Sequence, residues 1–206
     1  AYAGQPYLRI QHSFENNDNR EEFSRIRSLV LRLPLQDRME SWNLAGHEGV
    51  GAAALRQQTD NHYVLTGTRG ASGRRAAGSA EWRGKRFRLS VAVRDFWQNY
   101  PKEIGVNPDG LELGLCPSLP ADAYAEAKGS VDEHRLYYYL QDGHYKFRQG
   151  MSKTHEFWLR AGEGATPWAP LIAVAPPSWY VETKGFGTLA PAGATGLIAR
   201  YDEAIE

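Results

Sequence analysis

The chain predicts an all-β fold, an antiparallel β-sandwich with short helical turns, on three observations. Apolar residues recur at every second position through most segments, Asp-Gly pairs separate runs of β-forming residues, and no long stretch carries a helical apolar period. Eight or more strands of this kind bury their apolar faces against each other in two layers. With 206 residues, 42% hydrophobic and 12% aromatic, the chain can bury one sizeable core, so a single sandwich domain over 1–206 is expected.

Taken in order, YLRIQHSFE places Leu8, Ile10, His12 and Phe14 on one face of a strand. NREEFSRIRS, 19–28, reads as opening with a helical turn. RSLVLRLPLQ aligns Leu29, Leu31, Leu33 and Leu35 on one face. The stretch 66–88 is glycine-rich and sets Arg69, Arg74, Arg75, Arg83, Lys85, Arg86 and Arg88 against Glu81 alone, which reads as a mobile loop running into a strand. That strand is RFRLSVAVR, with Phe87, Leu89, Val91 and Val93 inward.

DFWQNYP, 95–101, forms one short turn that Pro101 stops. NPDG at 107–110 and QDGH at 141–144 predict two hairpins, the second between HRLYYYL and YKFRQ, because Asp-Gly supplies the positive φ angles of tight turns. PADAYAEAKG, 120–129, reads as a brief surface helix, and MSKTHEFWLR and PLIAV as strands.

Charge and cysteine content exclude several functions. Lys+Arg 24 balances Asp+Glu 24, so there is no global field to attract a polyanion, and nucleic acid is not an expected partner. No apolar run approaches the ~20 residues that span a bilayer, so no membrane partner is expected and the chain reads as soluble, its compartment left open. Cys116 is the single cysteine and reads as a buried thiol. The six histidines lack metal-ligand spacing, and neither a GxSxG, a phosphate loop nor a dinucleotide fingerprint occurs, so neither metal nor cofactor is expected.

Two stretches carry candidate chemistry. Arg94, Asp95, Trp97, Tyr100, Pro101 and Lys102 crowd the end of a strand. Flat rings beside charged groups suit a sugar surface, the ring for a pyranose face and the charges for hydroxyls or a carboxylate. The same residues suit a corner plug in which Trp97 and Tyr100 close one end of the sandwich, and both readings stand. In MSKTHEFW, Lys153 and His155 share a strand face with Phe157 and Leu159. An ammonium beside an imidazole lowers its pKa and keeps it neutral to accept a proton, while a hydrogen-bonded structural histidine is the plainer alternative.

Taken together, VRDFWQNYPKEI, DGLELGLCP, YYYLQDGHYKFRQGMSKTHEFWL and APPSWYVETKGFGTLAP resemble, in order and spacing, the central supersandwich-like β-domain of the exo-rhamnogalacturonan lyase (YetA-like) family. The resemblance covers most of the chain and is strongest between Arg94 and Pro191. It implies a piece excised from a longer multidomain protein, flanked by a barrel-like domain and an α/α toroid. It also implies an acidic pectin-type polysaccharide or oligosaccharide as partner, cleaved in the parent protein by β-elimination at a uronic acid. That reaction needs a cation at the uronate carboxylate, a base for the C5 proton and an acid for O4. On chemical grounds His155, Lys153 and Tyr100 are candidates for the catalytic roles and Arg94, Trp97, Lys102 and Tyr180 for substrate contacts. A carbohydrate-binding module without catalysis and a spacer domain are the alternatives.

Overall fold

A computed structural model describes residues 6–67, 70–124, 137–163, 175–185 and 187. Packing divides the chain into two units, residues 1–169 and 170–206. Every strand described lies in the first unit, and the second contributes helix α1, Pro177–Thr183.

The all-β expectation holds. Fourteen strands are found among the described residues: β1 Tyr7–Glu15, β2 Ser24–Ile26, β3 Leu29–Pro34, β4 Met39–Leu44, β5 His47–Gly49, β6 Ala53–Thr59 and β7 His62–Thr66, followed by β8 Ala71–Gly73, β9 Ser79–Gly84, β10 Arg88–Val93, β11 Lys102–Asn107, β12 Gly110–Cys116, β13 Tyr145–Phe147 and β14 Ser152–Ala161. Twelve of them form two six-stranded antiparallel sheets, ordered β1-β14-β10-β9-β4-β5 and β3-β12-β11-β6-β7-β8. The remaining pair, β2 and β13, makes a small sheet of its own.

One apolar core joins the large sheets face to face. Trp42, Trp82, Val91 and Phe157 come from the first sheet and Leu55, Ile104, Leu111 and Leu113 from the second. Alternation explains the arrangement, since β11 buries Lys102, Ile104 and Val106 while Glu103, Gly105 and Asn107 face outward. The two core tryptophans hide their one polar atom by donating to backbone carbonyls, Trp42 to Gly51 and Trp82 to Asn107. At one end of the sandwich Tyr145 and Phe147 of the small sheet pack with Phe14, Leu29 and Cys116. Cys116 is a buried free thiol, as its sequence context suggests.

Several local expectations change. Residues 19–28 hold bends and β2 in place of a helical turn, because Phe23 is drawn into burial and Ser24–Ile26 pairs with Tyr145–Phe147. The described part of 66–88 holds the strands β8 and β9, whose backbone groups are taken up by β7, β4 and β10, and keeps irregular backbone at 74–78 and 85–87. In QDGH, Asp142 and Gly143 do adopt positive φ, 65° and 69°, yet the turn closes no hairpin. Tyr138–Leu140 is a short 3-10 helix, and the strand after the turn pairs with β2 instead. Of PADAYAEAKG only the first five residues are described, with a turn at 121–124, and PLIAV lies outside the described residues.

NPDG does make its hairpin, with Asn107 opposite Gly110. Asp109 donates its amide to Asn107 Oδ1 at 2.8 Å, and its carbonyl accepts from Leu35 at 2.8 Å, which ties β3 to the turn. Gly110 has φ +143°, and a Cβ there would lie 2.1 Å from the Leu33 carbonyl oxygen. Gly110→Ala is therefore expected to cost about 1–3 kcal/mol, read as a lower urea midpoint with the slope unchanged.

Candidate functional site

The crowded stretch that ends β10 is a crossing between sheets. β10 belongs to the first sheet and β11 to the second, so the chain must turn across one end of the sandwich between Val93 and Lys102. It does so in a turn over residues 94–99, with Asn99 donating its amide to Asp95 O at 2.9 Å, followed by a cis Tyr100–Pro101 peptide. Phe96 is buried in the core and Trp97 is half-buried beneath Arg75, whose guanidinium carbon lies 4.2 Å from the ring centroid.

At that end the inward rows of β11 and β14 stop being hydrocarbon. Lys102, 2% exposed, and His155, 3% exposed, meet from opposite sheets with Nζ 2.5 Å from Nδ1. Lys102 also donates to the Leu115 carbonyl at 3.0 Å. An ammonium only donates, so opposite it Nδ1 accepts and the ring proton sits on Nε2. That Nε2 and Nδ1 of His12 are buried without a hydrogen-bond partner among the described residues. His12 pairs with His155 across β1 and β14, the rings stacked 6.0 Å apart.

No carboxylate offsets the cluster among the described residues, and the titrations shift accordingly. Burial, with the Lys153 charge nearby, brings Lys102 down to about 7. Burial first, then Lys102, Lys153 and His12, bring His155 down to about 3. Lys153 is lowered by burial, and the Cys116 thiol is raised by it. His155 is thus a neutral ring sealed in the interior with one nitrogen occupied by Lys102.

Lys153, one step along the same inward row, is half-buried and lines a cleft of about 380 Å³. Asn99, Tyr139, Lys146, Ser152 and Thr154 line it as well, above apolar Leu140, Phe147 and Met151. Lys146 is held by Asp142 at 2.8 Å. Among the described residues Lys153 has no ion-pair partner.

Of the residues singled out in the sequence, Lys102, Lys153 and His155 come together. Arg94 is on the outer face, where Nη1 reaches Glu156 at 3.0 Å and Nε reaches Asp95 at 3.3 Å. Glu156 accepts from Arg9 as well, and these hydrogen bonds hold its carboxyl below the usual range. Tyr100 packs against Tyr137 with centroids 6.2 Å apart, and burial raises its phenol, which disfavours the phenolate a base would use. Tyr180 lies on α1 in the second unit, edge-on to Trp179.

Sequence reasoning passed over Glu156, His12, Lys146 and Tyr139. The signal for the first two was present, since alternation sets Glu156 opposite His155 in facing and His12 with Phe14. Lys146 and Tyr139 reach the cleft through the pairing of β13 with β2, which leaves no local mark. Among the described residues no group of three or more His, Cys, Asp or Glu side chains is placed to hold a metal ion, and no helix is long and apolar enough to cross a membrane. Neither family models nor curated proteins match this chain.

The cluster makes stability depend on pH in a definite direction. Unfolded, Lys102 binds a proton up to its ordinary 10.5, whereas folded it releases it near 7, so stability rises as pH increases between those values. The expected slope is on the order of 1.4 kcal/mol per pH unit. Lys102→Met is expected to flatten it, read by urea denaturation at pH 7, 8 and 9.

Proposed function

We propose that this sandwich contacts acidic pectin-type glycans in a polysaccharide lyase-like protein, supplying substrate contacts and packing surface while the acid and base of β-elimination come from flanking barrel-like and α/α toroid domains. The observation that carries this reading is the cleft at the end of the sandwich. It combines Lys153, an amine without an ion-pair partner among the described residues, with the amide residue Asn99 and the aromatic residue Tyr139. Those are the groups that a uronate carboxylate, sugar hydroxyls and a pyranose face require.

The other cations considered for the carboxylate are engaged. Arg94 is shared between Glu156 and Asp95, and Lys102 is sealed against His155 and Leu115. A base must reach the proton it removes, and His155 is enclosed with Lys102 on Nδ1, so the reading gives it a structural role. A bound carboxylate would supply the missing negative charge and draw a proton onto Lys153.

The test is calorimetric titration with rhamnogalacturonan oligosaccharides near pH 6. Binding is expected, weakened at least about tenfold by Lys153→Met, the loss of one charged hydrogen bond. Because the Lys153 pKa is lowered by burial, affinity is expected to fall as pH rises and the free amine takes over. No binding of acidic oligosaccharides at any pH overturns the reading. Binding by the domain, with no unsaturated product from the parent protein, favours a carbohydrate-binding module.

A further inference from the structure

We infer that Lys153 is a carbonyl-reacting amine and that the cleft it lines takes a small polyhydroxy aldehyde as an imine. The inference needs only the cleft and its amine, and it stands or falls apart from the glycan reading.

Three features of the site carry it. Lys153 is half-buried on the inward row of β14, with its side chain on the wall of a cleft of about 380 Å³, large enough for a short open-chain sugar. No carboxylate pairs with it among the described residues. The next inward side chain along β14 is His155, and behind it Lys102 sits with its own amine buried, so the inward row beside Lys153 offers nitrogen groups and no carboxylate among the described residues. A desolvated lysine is the setting in which an amine becomes a nucleophile at neutral pH. The shift of Lys153 is in the direction this requires, caused by burial.

Lys146 on the same cleft makes the contrast. Its ammonium is 2.8 Å from Asp142 and 4.6 Å from the centroid of Tyr138, so this amine, unlike that of Lys153, is engaged by a carboxylate and a ring face. Asn99, the polar amide residue that lines the cleft with Lys153, suits the hydroxyls of the aldehyde.

The chemistry balances without a further reagent. The Nζ lone pair forms the new C–N bond as the carbonyl π pair moves to oxygen, and a proton passes from nitrogen to that oxygen to give a carbinolamine. Loss of the hydroxyl with the second amine proton, as water, leaves the imine. One amine and one aldehyde give one imine and one water, with no change of oxidation state.

The experiment treats the full chain with glyceraldehyde and sodium cyanoborohydride at pH 7, the hydride trapping the imine as a stable amine, and maps adducts by peptide mass spectrometry over time. Lys153 is expected to be labelled about tenfold faster than exposed Lys85, and Lys153→Arg is expected to remove that fast phase alone. Because the comparison is between two lysines of the same folded protein, a variant that folds poorly does not decide the result. Labelling of Lys153 no faster than Lys85 overturns the inference.

Discussion

A two-layer sandwich imposes one constraint on every inward-facing position, that it meet hydrocarbon or a hydrogen-bonding partner from the opposite sheet. Over most of the interior the demand is met by branched and aromatic side chains, with Trp42, Trp82, Phe157, Leu55 and Ile104 essentially without solvent contact. At one end the same rows of β11 and β14 arrive at Lys102 and His155, and there a cross-sheet contact between two nitrogens takes the place of packing. An unsatisfied buried polar group costs roughly 1–3 kcal/mol, and more if charged, so such a contact is kept only where most of the valences are met. The Leu115 carbonyl meets one of them.

The surroundings of that contact follow from it. Burial lowers the hold of both amines on their protons, the Lys153 charge lowers that of Lys102 further, and the imidazole is driven to its neutral form by burial and by both of them. The small β2–β13 sheet closes the apolar side of the same end with Tyr145 and Phe147, beside the cleft on which Lys153 lies. The outer face solves its electrostatics differently, by placing Glu156 between Arg9 and Arg94. One strand, β14, therefore presents an anion-centred network outward and an anion-deficient one inward, a consequence of the two-residue period alone.

How much of this could be read beforehand depends on the range of the determining interaction. Alternation within a strand is local, so most of the inward faces of β1, β3, β10 and β14 were legible, and with them the adjacency of Lys153 and His155, but Leu8 and Phe87, read as inward, are exposed near the strand ends where the opposite layer no longer covers them. The Asn107–Gly110 hairpin was legible for the same reason. Which strand pairs with which is not local. Asp142-Gly143 has the backbone of a hairpin turn, but Tyr145–Phe147 finds its partner more than a hundred residues earlier in Ser24–Ile26. The basic, glycine-rich stretch before β10 looked like a loop because its apolar residues are few, yet Ala80 and Trp82 suffice to seat β9 between β4 and β10. Lys102 was noted in sequence as one charge among several at a turn. Its burial against His155 depends on the crossing from one sheet to the other, which no window of neighbouring residues contains.

His155 is a neutral interior ring with its proton on Nε2, fixed by Lys102 on Nδ1. Nitrogen-detected NMR of the imidazole over a pH titration measures this directly. One tautomer is expected, protonated on Nε2, with no titration of the ring between pH 5 and 8 and a pKa of about 3. A ring that takes up a second proton near the ordinary value of 6.5, or that carries its proton on Nδ1 when Lys102 is charged, would contradict it.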